Sequence, residues 1–200
     1  IVRWAMEHGP VFAPGDGWSY SNTGYYIAAM VVEEVTGKSF VDNVRTRILD
    51  PLALRKTYTT PGEEALGDLV EGYAVGTNVT DELKMEWAWA AMGMVSDTND
   101  MCRWAKALLD GEVLSDAMLD AMLDKIPLTG EDATGYGLGA RFLEIDGREL
   151  VGHTGSTMGF NSNLFIDPTT GICISTFVND FFGNPEAVSD LVWRAILDGL

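Results

Sequence analysis

The chain has 200 residues, 46% of them apolar and 22% charged, ordinary proportions for a globular chain able to bury a sizeable core. Thirty acidic against thirteen basic side chains give a formal net charge of −17. The acids are spread along the sequence rather than gathered in a tail, and a surface that cannot neutralise phosphates excludes nucleic acid as a partner. No apolar run is long enough to span a bilayer, and the abrupt start at Ile1-Val2-Arg3-Trp4 reads as that of a piece of something longer. The cysteines, Cys102 and Cys173, form no C-x-x-C pattern and read as buried thiols, one on a helix and one on a strand. With two histidines and no cysteine cluster, a zinc site is not expected.

The first two-thirds reads as mainly helical. Ser21 or Asn22 caps a segment whose apolar positions Tyr26, Ile27, Met30 and Val31 follow helical spacing, and Gly37 stops it. Ser39 caps a second helix with Phe40, Val44 and Ile48 on one face, ended by Pro51. Residues 57–86 are poorly periodic and predict loops with short elements. Asp97 or Thr98 opens a third helix, with Met101, Trp104, Ala105 and Leu108 as its buried stripe and Gly111 closing it. A fourth runs from Ser115 with Leu119, Met122, Leu123 and Ile126 inward, as far as Pro127.

After Gly135 the period changes. Residues 136–145 read as one strand, Asp146-Gly147 as a tight turn, and residues 149–152 as the start of the return strand. Residues 161–166 and 172–178 form a further pair around the turn Asp167-Pro168-Thr169-Thr170-Gly171, and residues 185–197 an amphipathic helix with Val188, Leu191, Val192 and Ile196 toward the sheet. Helices followed by antiparallel strands predict an α+β fold, with residues 1–130 mainly helical and 131–200 holding strands and the last helix.

Two stretches carry chemistry. In Pro14-Gly15-Asp16-Gly17-Trp18-Ser19-Tyr20-Ser21-Asn22-Thr23-Gly24, a glycine-rich turn delivers a phenol and an amide just ahead of a helix, which can aim both at a cleft. In Val151-Gly152-His153-Thr154-Gly155-Ser156-Thr157-Met158-Gly159-Phe160, a strand presents His153 and Thr154 at an edge. Gly155 then allows close approach by a ligand, leaving the N–H of Ser156 to meet a carbonyl oxygen. Taken singly, each is also a common capped turn or strand end. Trp18 belongs at the cleft rim, whereas Trp87, Trp89 and Trp104 read as packing residues and His8 as a loop histidine. No serine nucleophile elbow occurs: Gly155-Ser156-Thr157-Met158-Gly159 has its serine one place early, and Gly17-Trp18-Ser19-Tyr20-Ser21 lacks the final glycine.

Together, Tyr20-Ser21-Asn22 before a helix and His153-Thr154-Gly155 on a later strand resemble the second and third signatures of the serine β-lactamase and penicillin-binding-protein group. The intervening run from Ala91 to Met101 and the hairpin around Asp167-Pro168 resemble that group in the same order, so the likeness covers nearly the whole chain. It implies that the fold is the penicillin-recognising α+β fold, lacking its N-terminal strands. It further implies that Tyr20 acts with a lysine as general base, that Asn22 binds the substrate's acyl-side carbonyl, and that Thr154 binds a substrate carboxylate. His153 would stand where many members carry lysine, and the N–H of Ser156 would be the second oxyanion donor, such donors contributing about 3 kcal/mol to the transition state.

The first signature of that group, S-x-x-K, supplies nucleophile and lysine, and it does not occur in these 200 residues. The expectation is therefore a part of a serine hydrolase of DD-carboxypeptidase, D-aminopeptidase or esterase type, acting on a small-molecule or peptide amide or ester without metal or organic cofactor. The H-T-G version resembles the exported DD-carboxypeptidase and esterase branches of that group. The sheet edge left by missing strands would be covered by the upstream segment or by another chain. The competing expectation is a catalytically dead binding protein that keeps the fold.

Overall fold

A computed structural model of the chain describes residues 1–80, 89–128, 133–197 and 199. Its centre is a six-stranded antiparallel sheet in the order β10-β9-β8-β7-β6-β5, built from β5 (Ile126–Pro127), β6 (Gly135–Tyr136), β7 (Arg141–Ile145), β8 (Arg148–Thr157), β9 (Phe160–Ile166) and β10 (Cys173–Val178). Sequential strands are neighbours throughout, as expected of a meander. The α+β class expected from the period change is the one observed.

Alternation along the strands builds a core on each face. On one face Ile145, Leu150 and Phe165 pack with Trp193 of the last helix, α7 (Pro185–Leu197). On the other, Ala140, Phe142 and Val151 pack against Met122 and Leu123 of α6 (Asp116–Leu123). The neighbours Leu150 and Val151 thus serve opposite faces, as the two-residue period of a strand requires.

Several expected boundaries hold at their caps. The first long helix, α2 (Asn22–Thr36), starts after Ser21 and ends where Gly37 takes φ 64°, its N–H returning to the carbonyl of Glu33. Ser39 caps α3 (Phe40–Val44) by accepting from the N–H of Asp42, and a π-helical turn (Arg45–Leu49) carries the chain to Pro51. Asp97 caps α5 (Thr98–Leu109) through the N–H of Asp100. The buried carboxylate of Asp100 then accepts from the N–H of Lys56 at 2.7 Å and the hydroxyl of Thr57 at 2.9 Å, fixing the loop that follows the π-helical turn. Within 57–86, short strands β1 (Tyr58–Thr59), β2 (Tyr73–Ala74) and β3 (Thr77–Asn78) replace regular elements, and positions 81–86 of that stretch lie outside the described residues.

Four expectations are corrected. Residues 136–145 form two strands rather than one, because Gly137 and Gly139 fold the chain back and Gly139 takes φ 80°. Ile126 is not on the fourth helix, which stops at Leu123; it lies half exposed on the edge strand β5 together with Pro127. On α2 the buried residues are Tyr26 and Ala29, while Ile27, Met30 and Val31 are exposed. On α7 the sheet-facing residues are Ser189 and Trp193, with Leu197 packed against the same core, while Val188, Leu191 and Val192 are exposed. Both helices carry two apolar stripes, and spacing alone does not say which meets the sheet.

Among the described residues β10 pairs only with β9, so its other edge has no strand beside it. No helix of the described residues is long and apolar enough to cross a membrane.

Candidate active site

The Tyr20 turn lies beside strand β8, with the Tyr20 ring centre 6.0 Å from that of His153. The hairpin joining β8 to β9 closes through Met158-Gly159, with Gly159 at φ 80° and Thr157 opposite Phe160. A two-residue turn requires its flanking pair to exchange hydrogen bonds, and antiparallel pairs alternate from there. Ser156 and Thr154, opposite Asn161 and Asn163, are therefore wide pairs whose backbone groups point away from β9. On that side the ladder with β7 ends at Gly152. The edge of residues 153–156 thus faces the cleft, and the N–H of Ser156 points out of it, on an exposed residue. A Cβ at Gly155 would sit 2.6 Å from the hydroxyl oxygen of Ser162 on the neighbouring strand, so that side chain would have to shift to admit one.

Opposite that edge lies a cluster of rings. Tyr20 is 51% exposed, with its ring centre 6.0 Å from His153 and 6.2 Å from Tyr136. Trp18, half-buried, packs on Tyr136 with ring centres 5.1 Å apart. Partial burial and the neighbouring Tyr25 phenol raise the pKa of Tyr20 above its ordinary value. Asn22 occupies the first turn of α2, and its Oδ1 is buried without a hydrogen-bond partner.

His153 is better resolved here than by sequence. Its Nδ1 lies 2.6 Å from the carbonyl oxygen of Thr154, which can only accept, so Nδ1 carries a proton. Burial holds its pKa below the ordinary histidine value, opposed by the bond to Thr154 and assisted by Arg141. The ring is thus held neutral in the fold, so His153 itself supplies no cation at this position. The sign of the resulting pH dependence follows from linkage. An unfolded histidine binds a proton near pH 6.5, and the folded one does so only at lower pH, so stability is full above that value and falls as the solution is acidified through it. The expected result is a steeper loss of melting temperature between pH 7.5 and 5.5 for the native chain than for His153→Gln. Equal slopes would contradict a buried neutral His153.

Two residues of the site were not legible as such. Arg141 on β7 places Nη1 3.1 Å from the hydroxyl oxygen of Thr154 and 3.5 Å from Oε1 of Glu186, with only 18% of its side chain exposed. Thr154 therefore accepts from a guanidinium and keeps its own hydrogen to donate. A charged residue in the apolar run Ala140-Arg141-Phe142 was the available signal. Tyr136, which donates to His153, was read only as a strand start. The packing role expected of Trp89 is observed, its ring lying 6.0 Å from Tyr26 and 5.7 Å from Phe40, whereas Trp87 lies outside the described residues. His8, expected in a loop, instead ends a short helix (Val2–His8) and stacks on Trp4 one turn before it. Cys102 on α5 and Cys173 on β10 are free and half-buried. No cluster of three or more metal-binding side chains occurs among the described residues.

The sheet carries a helix on each face, and the Tyr20 ring lies beside His153 of the His-Thr-Gly strand. The Beta-lactamase family model matches residues 1–198. The chain belongs to that family, a family of serine hydrolases.

Among curated relatives, the D-aminopeptidase of Brucella anthropi is 27% identical over 157 residues, covering 74% of this chain and 29% of the relative. Penicillin-binding protein 4* of Bacillus subtilis is 26% identical, covering 81% and 40%. Among solved structures, the D-amino acid amidase of Ochrobactrum anthropi SV3, complexed with L-phenylalanine amide, superposes with a TM-score of 0.87 at 29% identity, covering 97% of this chain and 61% of that one. A D-stereospecific amidohydrolase from Streptomyces sp. gives 0.83 at 30%, covering 94% and 57%. The chain thus spans between 29% and 40% of these two curated relatives.

Proposed function

We propose that these residues form the general-base and substrate-binding half of an acyl-serine hydrolase acting on amides or esters of D-amino acids or short D-terminated peptides. The nucleophilic serine and its lysine lie on a segment outside the 200 residues, and that segment also covers the free edge of β10. The observation that supports the reading is the approach of the Tyr20 ring to His153, on the strand whose residues 154 and 156 point their backbone groups away from β9.

In this reading the serine attacks the substrate carbonyl while Tyr20 removes its proton. The oxygen that becomes negative is held by the N–H of Ser156 and by that of the serine itself. Asn22 binds the acyl-side carbonyl, and the Thr154 hydroxyl, backed by Arg141, binds a carboxylate or leaving-group oxygen. Tyr20 then returns the proton to the departing amine or alcohol, and water repeats the sequence in reverse. A phenol near pKa 10 is a weak base at neutral pH, and here Tyr20 is raised rather than lowered. The lysine beside the missing serine is the cation that would lower it. The preference for D-amino acid amides over other substrates draws on the D-aminopeptidase and amidase relatives.

The raised Tyr20 equally suits a binding protein that has lost catalysis, and hydrolysis separates the two. The chain joined to its upstream segment is expected to hydrolyse D-phenylalaninamide at least about tenfold faster than the L form, a discrimination of about 1.4 kcal/mol. No turnover of either amide, of p-nitrophenyl butyrate, or of a D-alanyl-D-alanine peptide would contradict the enzyme reading and favour the binding protein.

A further inference from the structure

The strongest unexplained feature of the cleft is a directed chain of hydrogen bonds that joins its two walls. It begins at the hydroxyl of Tyr25, on the first turn of α2 and three residues after Asn22, which lies 3.5 Å from the hydroxyl of Tyr136. Tyr136 in turn lies 2.7 Å from Nε2 of His153, and Nδ1 of His153 lies 2.6 Å from the carbonyl oxygen of Thr154.

The direction of every proton follows from the last link. A carbonyl only accepts, so Nδ1 bears the hydrogen. In the neutral ring Nε2 then has a lone pair and must accept, so Tyr136 donates. With its hydrogen committed, the Tyr136 oxygen can only accept from Tyr25. Tyr136 is 8% exposed, and burial together with the Tyr25 hydroxyl raises its pKa, so it stays a protonated donor at any physiological pH. The first two links join α2 to β6 and β6 to β8, and the third lies within β8.

We infer that Tyr136 is a positioning residue, which fixes His153 in its Nδ1–H form and, through Tyr25, sets the distance between the helix bearing Asn22 and the strand bearing Thr154 and Ser156. The hydrogen bond leaves neither ring nitrogen of His153 free to face a substrate. His153 is therefore part of the wall and does not act as an acid, a base or a fixed cation. The position of the Thr154 carbonyl, and with it the outward edge of residues 154–156, is tied to the imidazole. This inference deepens the acyl-serine reading in what it says of turnover, but the hydrogen-bond chain itself does not depend on that reading.

Long-range 1H–15N correlations on the 200-residue chain test it, with His8→Gln leaving His153 as the single imidazole. The expected spectrum has a protonated Nδ1 and an unprotonated, hydrogen-bonded Nε2. Tyr136→Phe, which keeps the ring packed on Trp18, should move the Nε2 resonance downfield to that of an unbonded nitrogen while Nδ1 stays in place and the melting temperature falls by a few degrees at most. In the unsubstituted chain a slowly exchanging hydroxyl proton should be detected next to Nε2, a readout that needs no variant. A protonated Nε2, no such hydroxyl proton, or an Nε2 resonance unmoved by Tyr136→Phe would overturn the inference.

The second arm uses the chain joined to its upstream segment. Tyr136→Phe should lower kcat by up to about tenfold, the worth of one hydrogen bond, with KM within about twofold. An Nε2 shift with unchanged kcat would overturn the positioning role. Absence of turnover in the unsubstituted enzyme, with the Nε2 result as expected, would overturn the acyl-serine reading and leave the hydrogen-bond chain standing.

Discussion

Tyr20→Phe, made in the chain joined to its upstream nucleophile, is expected to lower kcat by about 10²–10⁴, the usual contribution of a positioned general base. The ring would remain against His153 and Tyr136, where its centre lies 6.0 Å and 6.2 Å away, so the substitution removes the proton acceptor and little else. KM should change much less, since the phenol acts on the serine's proton and not on the bound substrate. The pH profile carries a second test. Tyr20 has a raised pKa in the isolated chain, and only a nearby cation can bring the phenol into a working range. The acidic limb of kcat/KM should therefore move to higher pH when the upstream lysine is replaced by methionine. A Tyr20→Phe enzyme with native kcat would remove Tyr20 from the mechanism.

Trp193→Ala is expected to destabilise the chain by about 3–5 kcal/mol, the usual cost of deleting a large aromatic side chain from a core. Trp193 is 1% exposed and packs with Ile145, Leu150 and Phe165, the whole buried cluster on its face of the sheet. Typical domains are stable by only about 5–15 kcal/mol, so this one change can leave the chain largely unfolded at 37 °C. Leu191→Ala, two residues earlier and 71% exposed, should cost no more than about 0.5 kcal/mol. Urea unfolding of the two variants measures both. Equal losses would mean that α7 meets the sheet through the stripe that spacing suggested, and that the observed helix rotation is wrong.

That pair of residues shows where sequence reading stops. Caps and turns were legible because each is a local chemical requirement: Ser39 and Asp97 accept from the N–H three residues on, Gly37 takes φ 64°, and Asp146-Gly147 takes φ 50° and 76°. The rotation of a helix about its axis is not local. Apolar stripes compete on α2 and α7, and the winner depends on what lies opposite. On α7 a single tryptophan with serine one turn before it outweighs three smaller apolar residues, because its ring fills the space over Leu150 and Phe165.

The candidate site divides in the same way. Tyr20, Asn22, His153, Thr154 and Ser156 were legible because a turn before a helix and a glycine after a strand mark positions that present polar groups. Tyr136 and Arg141 reach the cleft only through strand pairing, Tyr136 opposite Arg141 and Arg141 opposite Gly152. Since residues 136–145 were read as one strand, the hairpin that sets these pairings was not available. The neutral state of His153 was equally out of reach, because it depends on the Thr154 carbonyl and on burial by distant residues.

The central claim is that these residues hold the base and the binding edge of an acyl-serine hydrolase but not its nucleophile. Intact mass spectrometry tests it most directly, after incubating the 200-residue chain separately with a fluorescent penicillin and a fluorophosphonate. The account predicts no adduct on this chain, and a single adduct on the upstream serine once that segment is joined to it. An adduct mapped to any serine within residues 1–200 would contradict the account and place a different active site in the chain.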